Sequence, residues 1–177
     1  MVTEYINYFR QLAIAHKDIR HNPLSETDEA PPASKHFTRI AIEEVLKGLR
    51  SAVGFPCLCL ELYQNETSAE NTISIKSLPS GAFMVIDHPE NDSFAAEEAV
   101  MAKTERIVYE LLQQIWQDHK PGSDICARPF KFFDFNKVLI EPVGPVFTGE
   151  YGYRVEFSFE SQKPIDITKP PAEGTFL

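Results

Sequence analysis

The sequence predicts an α+β fold, an antiparallel sheet of about five strands with helices packed on one face. Three observations predict it. Residues 151–160 alternate without a break, placing Tyr151, Tyr153, Val155, Phe157 and Phe159 on one side of a strand and Gly152, Arg154, Glu156, Ser158 and Glu160 on the other. Successive strand side chains point to opposite faces, so such a strand is covered on one side, where each buried Val or aromatic contributes roughly 1.5–3 kcal/mol. Second, Met101, Thr104, Val108, Leu111, Leu112 and Ile115 recur at the spacing of a helix face. Third, the elements run helix, helix, three strands, helix, two strands, and segregated runs of this kind give α+β rather than a parallel α/β sheet.

Taken in order, Val2, Tyr5, Ile6, Phe9, Leu12, Ala13 and His16 form the stripe of an amphipathic helix that stops near Asn22-Pro23. Residues 20–35 carry Pro23, Pro31 and Pro32 among Ser25, Glu26, Thr27, Asp28 and Glu29, which predicts a mobile acidic surface loop. Ile42, Val45, Leu46, Leu49 and Val53 fit a second helix over residues 38–53, although Phe37, Ile40 and Ile42 also suit a short extended start. Gly54 caps that helix and Pro56 prevents its continuation. The apolar run 55–63 reads as a central strand leaving into a polar connection over 64–71. Strands over 72–77 and 82–86, joined by a turn at Leu78-Pro79-Ser80-Gly81, complete a meander.

Asp92 or Ser93 caps the long helix, Ile107 and Trp116 widen its inner face, and Pro121-Gly122 ends it. Residues 130–143 return as a strand through Phe132, Phe133, Phe135, Val138, Leu139 and Ile140. The expected organisation is one α+β domain over 1–160 and an extended, Pro-rich tail over 161–177.

A net charge of -9 without clustered Lys or Arg argues against direct nucleic-acid binding, which depends on counterion release from basic surfaces. The start of the chain lacks the basic and apolar regions of a signal peptide, and no apolar run approaches a membrane span. Three cysteines, Cys57, Cys59 and Cys126, are too few for a disulfide framework. These features predict residence in a reducing cytoplasm.

Asp87-His88 follows an apolar strand, where a general base often sits, yet no second group is placed to tune it, so the pair reads as strand-end turn residues. Cys57 and Cys59 share a face, but a tetrahedral metal site needs more ligands, and a doubly covered core strand explains both. His16, His21 and His36 flank the acidic loop with no metal-binding spacing, and Glu43-Glu44, Glu97-Glu98 and Asp28-Glu29 read as solvated faces or helix starts. Gly144, Gly149 and Gly152 do not precede a helix as a phosphate-cradling loop requires, and read as turn glycines. No catalytic residue, metal or cofactor is predicted.

Three local patterns resemble small proteins of prophage-type clusters in gut Bacteroidetes: residues 42–50 leading into Phe55-Pro56-Cys57-Leu58, then residues 80–88, then residues 151–157. The element order is similar to that of phage tail-terminator and tail-completion proteins. That resemblance implies a non-enzymatic assembly protein, a homo-oligomeric ring that meets other tail or neck proteins, found in the host cytoplasm or on the virion. Ile165, Ile167, Phe176 and Leu177 in the tail are the expected packing anchors between subunits. Two rival expectations stand beside it. One is a small-molecule or peptide-binding module using the cleft between sheet and helix, and the other is a hydrolase built on Asp87, His88 and Glu61.

Overall fold

The computed structural model describes residues 2–27, 31, 34–40, 53–69, 74–120, 132–146, 149–160 and 165–166. The first helix, α1 (Val2–Ala15), buries Tyr5, Ile6, Phe9, Leu12 and Ala13, the stripe its spacing predicts. The second, α2 (Phe94–Asp118), starts where the Ser93 side chain accepts the Ala96 N–H, and it buries Val100, Thr104, Ile107, Val108, Leu111 and Ile115. Thr104 is tolerated inside because its hydroxyl donates to the Val100 carbonyl at 2.9 Å. Trp116 does not join that inner face: it is 49% exposed and packs edge-on against Phe135. No helix among the described residues is long and apolar enough to cross a membrane.

The strands are β1 (Phe37–Ile40), β2 (Cys57–Glu61), β3 (Gln64–Ala69), β4 (Ser74–Asp87), β5 (Phe132–Phe133), β6 (Leu139–Val146), β7 (Glu150–Glu160) and β8 (Ile165–Asp166). They pair in the order β1-β2-β4-β7-β5, with β3 and β8 also on β4, and β6 also on β7. The fold is α+β, but the sheet is mixed rather than antiparallel, because β1 runs parallel to β2. The expected helix over 38–53 begins as strand β1 instead, and residues 41–52 lie outside the described residues. A parallel return needs a crossover of about a dozen residues or more, which the chain between Ile40 and Cys57 supplies.

The turn expected at 78–81 is absent, and β4 runs through it as one strand of 14 residues. Pro79 is accommodated where β4 has a described partner on one edge only, opposite Asn65, between the stretches that pair with β7 and β8. Gly81 is there for clearance, since a Cβ would stand 2.6 Å from the Tyr5 hydroxyl and 2.9 Å from the Phe157 ring. Gly152 likewise lies within β7 rather than in a turn, where a Cβ would meet the β4 backbone, 2.9 Å from Ile86 Cα. Gly144 and Gly149 do adopt positive φ.

The polar stretch expected as a connection after β2 is strand β3, so β2 and β3 follow one another along β4. Leu60 faces Phe83 and Gln64 faces Ser80, so four steps on one strand match three on the other. That extra residue is a bulge. It turns Leu62 outward, 55% exposed, although alternation groups it with the buried Leu58 and Leu60. The predicted 130–143 strand divides into β5, a 3₁₀ turn over Phe135–Lys137 and β6, which extends to Val146; Phe130 lies outside the described residues.

Both helices cover the face bearing Leu58, Leu60, Phe83, Val85, Val155, Phe157 and Phe159. Tyr5, Phe9, Phe83, Phe157 and Phe159 pack there with centroid separations of 5.2–6.4 Å, each such pair adding roughly 0.5–1.5 kcal/mol beyond its area. Polar bonds fix the helices on this bed: the Tyr5 hydroxyl donates to the Glu61 carbonyl at 3.1 Å, and Tyr8 donates to Asp118 at 2.8 Å. One-sided cover does not hold for the whole sheet. On the opposite face Ile40, Cys57, Cys59, Met84 and Ile86 are buried, with Val53, Phe55, Val143 and Val146 packed against them. β2 is therefore buried on both faces, as its unbroken apolar run requires.

The described part of the 20–35 loop is pinned rather than loose. A 3₁₀ turn over Pro23–Glu26 is capped by Asn22, whose backbone N–H reaches the Ser34 carbonyl, and His21 and Ser25 are buried. In the tail, Ile165 and Asp166 pair with Ile75 and Ser74, so the chain beyond 160 contributes to the sheet. Ile167, Phe176 and Leu177, like Cys126, Asp28-Glu29 and Glu43-Glu44, lie outside the described residues.

Candidate functional site

Polar side chains converge at four places among the described residues. At the end of β4, the Asp87 carboxylate accepts the His88 backbone N–H at 2.8 Å and the Lys103 ammonium from α2 at 2.6 Å. His88 Nδ1 stands 3.5 Å from a carboxylate oxygen of the buried Glu150. A general base needs an available lone pair aimed at a reacting group, whereas here both Asp87 oxygens are engaged and no hydroxyl or thiol is bonded to His88 among the described residues. Glu61, the third member of the hydrolase expectation, sits beyond the Leu60–Phe83 pair. That places it more than about 13 Å along β4 from Asp87. The three residues do not meet.

Glu61 belongs instead to a network on the second face. Arg154 donates Nε to Glu61 Oε1 at 2.6 Å and Nη2 to Oε2 at 2.9 Å, and its Nη1 pairs with Glu156. This two-pronged geometry is the strong form of an Arg–carboxylate pair. The Glu61 carboxylate raises the Arg154 guanidinium further above its usual range against the opposing effect of burial, with Glu156 assisting. The network fastens β2 to β7 across β4 and holds its charges in place.

At the junction of α1 and α2, His16, Asp18 and Glu110 each bring one ligand atom to within 4.8 Å of the others. The group is already closed on itself. Arg106 donates to both Asp18 and Glu110 at 2.8 and 2.9 Å, and Lys17 reaches Glu110 at 3.4 Å. Asp18 is held below its ordinary range, first by the bond from Arg106. His16 Nδ1 accepts the Asp18 backbone N–H, so Nε2 carries the proton given to Glu110. A metal at Nε2 needs the opposite tautomer and the removal of Arg106, so this donor set suits an ion-pair clasp.

The fourth group lies where the 20–35 loop meets β1. His21 Nδ1 accepts the His36 N–H at 3.2 Å, which leaves Nε2–H to donate to Glu26 at 2.9 Å, and Arg10 donates to the same Glu26 oxygen at 2.8 Å. Burial lowers the His21 pKa below 6.5 despite Glu26, while Arg10 and His36 also disfavour its protonation. His36 Nδ1 faces the Pro56 carbonyl. The three histidines considered as zinc ligands thus have separate partners, and His16 is on α2's side of the molecule. Beside this group a cavity of about 400 Å³ is lined by Arg10, Glu26, Lys35, Phe37, Thr38, Arg39, Ile40 and Leu62.

Among the described residues, the space between sheet and helices is packed with aromatic rings. A groove of about 440 Å³ does lie at the flank, between the start of α2 and β6, walled by Phe94, Met101, Pro142, Val143 and Tyr151 with Glu97 and Glu98 on its rim. Phe94 is 85% exposed there. Sequence reasoning passed over Arg10, Lys35, Arg39, Lys103 and Arg154. Isolated cations have no spacing signal, and only reading 37–40 as a strand would have set Lys35 and Arg39 along one edge. The chain matches no protein-family model, no curated protein and no solved structure.

Proposed function

We propose that this chain is a non-enzymatic assembly protein of the phage tail-terminator or tail-completion kind, acting through contacts with copies of itself and with tail or neck proteins. The observation that carries this reading is the apolar flank of α2. Phe94, Tyr109 and Trp116 are 85%, 55% and 49% exposed, and they mark out about 33 Å of helix from its first turn to its last. Rings exposed at intervals along one flank, with Glu97 and Glu98 beside Phe94, suit a partner-facing surface. The convergent polar groups, closed into ion pairs and structural hydrogen bonds, fit the same reading.

The arm beyond Asp166 is the proposed ligand of the α2–β6 groove on a neighbouring subunit, with Ile167, Phe176 and Leu177 as its anchors and Ile165 held at its root by pairing with Ile75. Asp166 stands beside Ser74, at the far end of β4 from the groove, which favours a neighbour's groove over the chain's own. Sedimentation over a hundredfold concentration range tests this. Self-association is expected, and it is lost both on removing residues 167–177 and in Phe94→Ser. A chain that stays monomeric throughout rules the reading out.

A further inference from the structure

We propose that the cavity at the outer edge of β1 binds a small organic dianion, a phosphate monoester with an apolar or aromatic body. This goes beyond the assembly reading and does not rest on it. Among the described residues, three cations, Arg10, Lys35 and Arg39, line the cavity with one carboxylate, Glu26. A local positive excess in a chain of net charge -9 is a concentrated departure from the rest of the surface. The cations come from separate elements: Arg10 from α1, Lys35 from the end of the 20–35 loop and Arg39 from β1.

Lys and Arg on an edge strand ordinarily serve to prevent pairing with another sheet, and that alone requires neither a hollow nor convergence. Here Arg10 is fixed in advance, held by Glu26 and Asn7 and placed 5.6 Å above the Phe37 ring. Lys35 and Arg39 make no ion pair among the described residues, and both line the cavity. Planar guanidinium forks match phosphate oxygens two at a time, and Lys adds a mobile point charge. The outward-turned Leu62, 55% exposed, offers the body of the molecule an apolar contact, while Phe37 and Ile40 touch the cavity only at their margins. Among the described residues, three cations against one carboxylate leave a surplus of two positive charges, which favours a dianion over a monoanion. The volume falls in the range of small-molecule sites.

The test is titration of phenyl phosphate into the full chain, followed by amide resonances, with inorganic phosphate, benzoate and the variants Arg39→Gln, Lys35→Gln and Lys137→Gln alongside. Saturable shifts at Thr38, Arg39 and Leu62 are expected. Losing one charge-assisted contact weakens binding about tenfold in Arg39→Gln and Lys35→Gln. Lys137→Gln, on the remote 3₁₀ turn before β6, binds as the parent does. Inorganic phosphate, without the apolar body, and benzoate, with one charge, both bind more weakly. Shifts no larger in the cavity than elsewhere, or unchanged affinity in both cavity variants, overturn the proposal and leave the cations as edge protection only. Benzoate binding as tightly as phenyl phosphate overturns the dianion assignment. The two cavity variants are independent, so circular dichroism showing one misfolded leaves the other to decide.

Discussion

The two faces of the sheet are built on different physics. Beneath the helices, large rings interlock and almost every side chain is apolar; on the other side, Cys57, Cys59, Met84 and Ile86 pack directly beside Arg154, Glu61 and Glu156, which hold charge along the stretch of β4 from Met84 back to Ala82. The first face draws stability from area and shape, which tolerate little loss of volume. The second mixes modest packing with a half-buried ion network, where desolvation offsets much of the attraction. The same strands serve both, so substitutions one residue apart on β4 or β7 report on different forces.

The largest effect expected is on the aromatic face. Phe157→Ala removes a ring that contacts Tyr5, Phe9, Phe83 and Phe133, and it should lower unfolding free energy in urea by about 3–5 kcal/mol. Met84→Ala on the opposite face should cost about 2–3 kcal/mol, since a flexible side chain leaves a cavity its neighbours close more readily. Equal losses in the two variants would remove the contrast.

Glu61→Gln comes next. It leaves Arg154 with Glu156 alone, and the cost should be about 1–3 kcal/mol, less than for a fully buried pair because Arg154 remains 24% exposed. The double variant Glu61→Leu, Arg154→Met should recover most of that loss in a double-mutant cycle. No loss in the single variant would mean that solvent screens the network entirely. Gly81→Ala tests clearance on the helix face: the added methyl must displace the Tyr5 hydroxyl or the Phe157 ring, at a cost of about 1–3 kcal/mol.

The smallest effect belongs to pH. His21 is neutral in the fold with its pKa lowered, so the unfolded chain binds more protons; stability is complete above the unfolded value of 6.5 and falls as the pH drops through the folded one. Glu26, Arg10 and His36 face it, and Glu26, itself lowered, acts in a separate window below 4.5. His21→Gln should flatten the profile between pH 6.5 and the folded pKa, and it should move the acid limb only in part, since Arg10 as well as His21 lowers Glu26. Urea midpoints across that range distinguish the two.

Patterns contained within one element were legible in the sequence. The buried stripe of α1, the Ser93 cap of α2, the alternation of β7 and the double burial of Cys57 and Cys59 all follow from spacing. What depended on a distant partner was not. β3 is a polar run made into a strand by pairing with β4, and Gly81 mimics a turn because the groups it must clear, the Tyr5 hydroxyl and the Phe157 ring, lie on α1 and β7. Asp87 and His88 were placed correctly at a strand end, but the residue facing Glu61 lies 93 positions along the chain, at Arg154. No local pattern encodes that pairing.

β4 is shared between early and late parts of the polypeptide, with β2 and β3 along one edge and β7 and β8 along the other. During synthesis the ribosome delivers β4 with its first edge filled and its second bare, and Phe83 waits for Phe157 until α2 and β6 have been made. Truncated products ending after α2 therefore display a long unpaired strand, a template for aggregation. Quality control should clear them faster than it clears fragments cut short before β4.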